Sequence, residues 1–130
     1  MLECLAIREA PRYDDANLRE LRAANARLRA AADPLAAIAA DDDFHAALLR
    51  PCDNARLLAV LRPARLALMR YERAYMTDRV RIARSVAQHE AIVAALERGD
   101  HATAAQGVRE NFMAALPDLE AQLGDSPAPG

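Results

Sequence analysis

Apolar side chains recur every three or four positions along most of this chain, and no segment alternates apolar and polar residues as a half-buried strand does. A first helix is predicted from Leu2 to Glu9, ending near Pro11. Asp14 or Asp15 can cap a second helix. The apolar face of that helix consists of Leu18, Leu21, Ala24 and Leu28. The pattern therefore predicts an all-α fold.

Capping residues and prolines divide the middle of the chain into further helices. Asp33 followed by Pro34 places an N-cap carboxylate before a first-turn proline, and this third helix is predicted to end before Pro51. Asn54 is expected to cap a long helix, which Pro63 kinks or shifts.

The last third of the chain contains another set of start and stop residues. Ser85 and Gln88 have the capping-box spacing, which predicts that the helix containing His89 begins there. Gly99 is predicted to end that helix in the left-handed conformation, and Asp100 to cap the last one. We therefore predict an antiparallel bundle of about six or seven helices.

Composition limits the classes of protein to which the chain can belong. Its 130 residues suffice for one domain over residues 1–122, followed by a disordered tail over 123–130. A formal net charge of -2 provides no basic surface for nucleic acid. Cys4 and Cys52 do not form a close-spaced pair, and no apolar run can span a bilayer. These features predict a cytoplasmic protein with reduced thiols and no membrane partner.

Three residues are candidates for metal chemistry. Asp41 and His45 stand four positions apart, so a helix projects a carboxylate and an imidazole from one face. His89 lies on the apolar face of another helix and is predicted to point inward. Simpler interpretations exist for each, because Asp41 begins an acidic run and an inward histidine is commonly a hydrogen-bonded core residue. Spacing alone leaves both interpretations open.

The order of motifs along the chain points to a family. The series reads Asp41-x-x-x-His45 with Phe44 before the histidine, then Asn54, Ser85-x-x-x-His89, Ile92, Gly99-Asp100 and Ala104. It resembles the FCD domain, the effector-binding half of one large branch of GntR-type bacterial transcription regulators. The resemblance extends from Leu2 to Leu119. It implies a helical bundle that encloses a cavity for a small organic acid, and a homodimer.

The resemblance also implies a divalent metal, commonly zinc or nickel, held by one aspartate and three histidines. Asp41, His45 and His89 match the first three ligand positions, and Asn111 stands where the fourth histidine is expected. An amide oxygen is a weaker ligand for such ions than an imidazole. Asn111 is therefore expected to bind the metal weakly or to hold a metal-bound water, unless the site holds no metal.

Two further expectations concern the effector and DNA. Arg81 and Arg84 precede His89, and one of them is a candidate for binding the effector carboxylate, although a solvated arginine is the simpler interpretation. Regulators of this family have a winged helix-turn-helix domain before the sensor. The sequence contains none, so we expect a sensor without its DNA-binding domain and no direct DNA contact by this chain.

Three classes of function follow. The first is a non-enzymatic effector-binding domain. The second is a metal-dependent enzyme such as a lyase, isomerase or cyclase, because three ligands and an open position are typical of catalytic metals. Glu90, the carboxylate nearest His89, is predicted to face away from the cavity, which disfavours this class. The third is a metal-free helical interaction module with His45 and His89 in its core. The sequence favours the first.

Overall fold

The computed structural model describes residues 7, 12–52, 54–56, 59 and 79–111. These residues form four helices and contain no strand, so the all-α prediction is confirmed for them. The helices are α1 (Asp15–Ala30), α2 (Pro34–Leu49), α3 (Arg79–Glu97) and α4, which is helical over the described residues 101–111.

Several predicted elements lie wholly or mostly outside the described residues. They include the first helix, apart from the buried Ile7, and most of the helix that Asn54 was expected to cap. The predicted tail over residues 123–130 also lies outside them.

Side-chain caps fix where α1 and α2 begin. The Asp14 carboxylate accepts a hydrogen bond from the Asn17 backbone N–H at 2.8 Å, and the Asn17 side chain accepts one from the Asp14 N–H at 3.0 Å. Asp33 accepts from the Ala36 N–H at 2.8 Å, and Pro34 follows in the first turn. Both predicted starts are confirmed because each cap satisfies amides that have no partner within the helix.

The predicted start of α3 at Ser85 is wrong. The helix begins at Arg79, and Ser85 is a buried residue inside it, one turn before His89. Residues 79–84 contain neither proline nor glycine and continue the apolar period through Ile82, so nothing prevents an earlier start. A serine and a glutamine three positions apart also occur inside helices, where the capping box has no free amide to satisfy.

The turn between α3 and α4 matches its prediction. Gly99 adopts a φ of 75°, which a residue with a Cβ rarely takes. Its N–H donates to the Leu96 carbonyl at 3.0 Å, and the Asp100 N–H donates to the Ala95 carbonyl at 2.9 Å. This is the Schellman arrangement. Asp100 then caps α4 by accepting from the Thr103 N–H at 3.0 Å.

Pairs of contacts show that α1 runs antiparallel to both of its neighbours. Arg27 contacts Asp43 while Glu20 contacts Arg50, so α1 and α2 run in opposite directions. Arg22 contacts Glu97 and Arg29 contacts Glu90, which gives the same result for α1 and α3. One core cluster joins all four helices, with members that include Leu21, Phe44, Ile92 and Val108. Within the described chain, no helix is long and apolar enough to span a membrane.

Candidate metal centre

The structure brings Asp41, His45 and His89 together. Asp41 and His45 lie one turn apart on α2, and His89 approaches them from α3. All three are buried, with 4%, 6% and 0% of their surface exposed. Each offers one potential ligand atom, and these atoms lie within 4.8 Å of one another. The inward orientation predicted for His89 is confirmed, and Asp41 does not belong to an acidic surface.

The distances within this cluster fit the spacing of ligands around one ion. Asp41 Oδ1 lies 3.3 Å from His89 Nε2 and 3.7 Å from His45 Nε2. Both distances exceed the roughly 2.7–3.2 Å of a good N–H···O hydrogen bond. Two ligands about 2.1 Å from a tetrahedral zinc lie about 3.4 Å apart. The oxygen and two nitrogens therefore have a geometry that one divalent ion can use.

The aromatic ring of Phe44 packs directly on the cluster. It stacks on the His89 imidazole with a centroid distance of 3.8 Å and an interplanar angle of 6°. The His45 ring meets both Phe44 and His89 edge-on. Because Phe44 has no exposed surface, it keeps one side of the imidazole dry and restricts its tilt.

Sequence reasoning missed Asn25, which is buried in α1 and contacts this cluster. The Asn25 Nδ2 amide donates to the Val86 carbonyl at 3.1 Å, and Oδ1 lies 3.0 Å from His89 Nδ1. A signal was available, because Asn25 occurs on the side of α1 that also presents Leu21, Ala24 and Leu28. A polar residue within an apolar stripe requires a buried partner.

The comparison with known families decides the identity of the domain. The FCD domain matches residues 1–113 of the chain. This chain belongs to the FCD domain family. The FCD domain is the effector-binding domain of GntR-type transcription regulators, which are regulatory proteins rather than enzymes. Neither the curated proteins nor the solved structures contain a match to it.

Asn111 occupies the position at which the resemblance predicts a fourth histidine in this FCD domain. It is buried on α4, with 9% of its surface exposed, and its Nδ2 donates to the Gln88 Oε1 at 2.6 Å. Gln88, predicted to be part of a cap, instead fixes this amide. The Asn111 nitrogen is thus the atom that contacts Gln88, and its oxygen is the other polar atom of the amide.

The two arginines predicted to bind the effector both lie on α3 but differ in exposure. Arg81 is half-buried and Arg84 is exposed. At about 100° per residue, Arg84 is turned about 140° around the helix from His89, and Arg81 about 80°. Of the two, Arg81 is therefore directed closer to the side of α3 that contains His89.

Two open grooves lie along α3 on the surface of this FCD domain, with volumes of about 340 and 370 Å³. Arg29 and Glu90 border both of them, and Asn25 lines the first. Neither groove is lined by Asp41, His45 or His89, so neither is the enclosed cavity that the resemblance implies.

The remaining described histidine, His101, does not join the cluster. It begins α4 and is half-buried, with its ring centroid 5.7 Å from that of Tyr13 and its Nδ1 3.3 Å from the Gly99 carbonyl oxygen. The side chain thus belongs to the turn that caps α4.

Proposed function

We propose that this FCD domain binds a divalent metal through Asp41, His45 and His89, and that the metal helps to bind a small organic-acid effector. The observation that supports this proposal is the convergence of three buried ligand atoms, one carboxylate oxygen and two imidazole nitrogens, within 4.8 Å. Burying a carboxylate is costly unless an opposite charge compensates it, and a divalent cation at this point provides that charge.

The donor set suits zinc or nickel. Imidazole is a preferred ligand of both ions, and a carboxylate completes sets of this kind. Asn111 serves as a weak fourth ligand through its amide oxygen, or holds a metal-bound water. When bound, the metal supplies a Lewis acid to which an effector carboxylate can coordinate.

Arg81 is the better of the two candidate effector contacts, because it is half-buried on the same helix as His89. A guanidinium binds a carboxylate through two parallel hydrogen bonds, which adds specificity for an organic acid. Arg84 is retained as a second candidate on the exposed side of α3. An enclosing cavity in a bundle of about six or seven helices remains part of the proposal.

Signalling follows from the placement of the ligands on two helices. Asp41 and His45 belong to α2 and His89 to α3, so occupancy of the site fixes these helices relative to each other. We propose that the sensor domain, over residues 1–122, belongs to a cytoplasmic homodimeric regulator. In such a regulator, a change in the relative position of these two helices on ligand binding alters the spacing of the DNA-binding domains.

Glu90 supports the regulatory proposal over the enzymatic one. Its side chain is 55% exposed and forms an ion pair with Arg29 on α1. The carboxylate nearest His89 in the sequence therefore faces solvent and is poorly placed to act as a general base at the cluster.

Thermal unfolding of the chelator-treated protein tests the proposal. Zinc or nickel at 100 times its dissociation constant stabilises the fold by roughly 2.7 kcal/mol, which raises the Tm by about 10 °C. A panel of mono-, di- and tricarboxylates should raise the Tm further only when metal is present.

The acidic run provides a matched control. Asp41→Asn should abolish the metal-dependent shift, whereas Asp43→Asn, which changes an exposed residue of the same run, should keep it. No shift in the unaltered protein, or equal shifts in both variants, would rule out this metal site.

A further inference from the structure

Asn25 has two hydrogen-bond partners on α3, although 61 residues separate it from the first and 64 from the second. It is 6% exposed, so its amide depends on these partners rather than on water. One partner is the Val86 backbone carbonyl and the other is His89, so both belong to the helix that provides a metal ligand.

The chemistry of the first partner determines the orientation of the amide. A backbone carbonyl can only accept, so the Asn25 atom 3.1 Å from the Val86 oxygen must be the Nδ2 donor. The opposite amide atom, Oδ1, then faces His89 Nδ1 at 3.0 Å. Because an amide oxygen can only accept, His89 Nδ1 must bear the proton.

This proton position leaves the other imidazole nitrogen ready to bind a metal. A neutral imidazole protonated at Nδ1 has its lone pair at Nε2. His89 Nε2 is the atom that lies 3.3 Å from Asp41 Oδ1, within the proposed donor set. Stacking on Phe44 restricts the tilt of the ring, and the hydrogen bond to Asn25 restricts its rotation within that plane.

We propose that Asn25 is a positioning residue for the metal centre, because it holds His89 in the Nδ1–H tautomer and directs Nε2 toward the ion. This inference rests on the proposed metal binding at Asp41, His45 and His89. Partners of this kind orient the histidine and increase its basicity, and their loss typically lowers metal affinity 10- to 100-fold.

Two substitutions separate this role from simple packing. Asn25→Leu keeps the approximate volume but removes both hydrogen bonds. Asn25→Asp is nearly isosteric and keeps the acceptor for His89 Nδ1–H, while it loses the donor to Val86. We expect Asn25→Leu to lower zinc affinity roughly 10- to 100-fold in competition with a chelating dye, and Asn25→Asp to stay within about tenfold of the unaltered protein. Circular dichroism of each variant is the control for folding.

The tautomer of His89 provides a readout that does not depend on metal. Long-range ¹H–¹⁵N spectra of the metal-free protein, recorded at mildly alkaline pH, distinguish a protonated Nδ1 from a protonated Nε2. We expect Nδ1–H in the unaltered protein and in Asn25→Asp, and loss of this preference in Asn25→Leu. An Nε2–H tautomer in the unaltered protein would overturn the inference, and this holds even if Asn25→Leu fails to fold.

The two measurements also distinguish the failure of each proposal. Zinc binding that is equally tight in Asn25→Leu and the unaltered protein contradicts the role of Asn25 and leaves the metal site intact. The predicted tautomer together with no zinc affinity in the unaltered protein contradicts the metal site, and the positioning role of Asn25 falls with it.

Discussion

Carboxylates meet basic side chains in two very different regions of this domain. Along the outer side of α1, Arg22 and Glu97 approach to 2.8 Å with side chains that are 50% and 58% exposed. Between α2 and α3, the Asp41 carboxylate faces His89 at 3.3 Å with side chains that are 6% and 0% exposed. Both contacts join a carboxylate to a nitrogen-containing basic group, but only the first pair is largely exposed to water.

The difference in exposure determines how much each contact can contribute to the stability of the fold. Exposed ion pairs are screened by water and salt, and each typically stabilises a fold by about 0–1 kcal/mol. Buried carboxylate and imidazole groups are costly to desolvate, so an apolar core of the same volume would stabilise the fold as well or better. Under the proposed function, binding of a divalent metal compensates this cost and accounts for their presence inside the core.

The largest loss of stability is expected at Phe44, which packs against the buried cluster. Phe44→Ala removes a fully buried ring that stacks on His89, and we expect it to lower the free energy of unfolding by about 3–5 kcal/mol. Leu35→Ala, at a position that is 64% exposed, is the control and should cost less than about 0.5 kcal/mol. Chemical denaturation measures both, and similar losses in the two variants would contradict the assigned core.

The next largest loss of stability is expected at Tyr13, which belongs to the same core cluster as Phe44. Its hydroxyl donates to the Leu48 carbonyl near the end of α2, so Tyr13→Phe should cost about 1 kcal/mol. Burial, with a smaller contribution from Cys52, raises the pKa of Tyr13 above its ordinary value of 10.0. The stability that Tyr13 provides is therefore complete below pH 10.0 and is lost as the pH rises above it.

Urea unfolding at a series of alkaline pH values tests this sign. The unaltered protein should lose more stability above the ordinary tyrosine pKa than Tyr13→Phe does. Parallel pH profiles for the two proteins would show that Tyr13 ionises without penalty, contrary to its buried position.

A smaller effect is expected at Asp100, where the cap of α4 reaches solvent. The Thr103 hydroxyl and then the Thr103 backbone N–H donate to the carboxylate and lower its pKa. Stabilisation by Asp100 is thus present above the unfolded-state pKa and is lost as the pH falls through the folded-state value. Acid unfolding should require a lower pH in the unaltered protein than in Asp100→Ala. Asp100→Asn keeps a capping oxygen without charge. The stability of this variant should therefore lack the acid dependence that the Asp100 carboxylate contributes.

The smallest effect is expected from the exposed ion pairs. Arg29→Ala removes the partner of Glu90, and we expect a loss of about 0–1 kcal/mol that disappears at high salt. The metal-dependent shift in Tm should not change. A loss of stability that persists at high salt would contradict the assignment of this pair as a screened surface contact. A changed metal-dependent shift in Tm would contradict its independence from the buried cluster.

Local sequence features predicted the parts of the fold that depend on local interactions. The caps at Asp33 and Asp100 and the turn at Gly99 involve residues within a few positions of each other, and all three predictions are confirmed. The start of α3 was misplaced because a capping-box spacing at Ser85 does not reveal whether a helix has already begun.

The candidate site was predictable only in part, for a physical reason. The apolar period of α2 places Asp41 in line with Ile38 and His45, so its burial follows from helical geometry. The contacts of Asn25 with Val86 and His89 depend on how α1 and α3 pack, which no local pattern specifies. The ion pair between Arg29 and Glu90 was missed for the same reason.

X-ray absorption at the metal edge of the zinc-loaded protein tests the metal centre most directly. A site formed by these three residues predicts only nitrogen and oxygen ligands at about 2.0–2.2 Å, with the outer-shell scattering of two imidazoles. It also predicts the loss of one imidazole in His89→Ala. Sulfur ligands at about 2.3 Å, or a spectrum without imidazole scattering, would place the metal elsewhere and contradict a site formed by Asp41, His45 and His89.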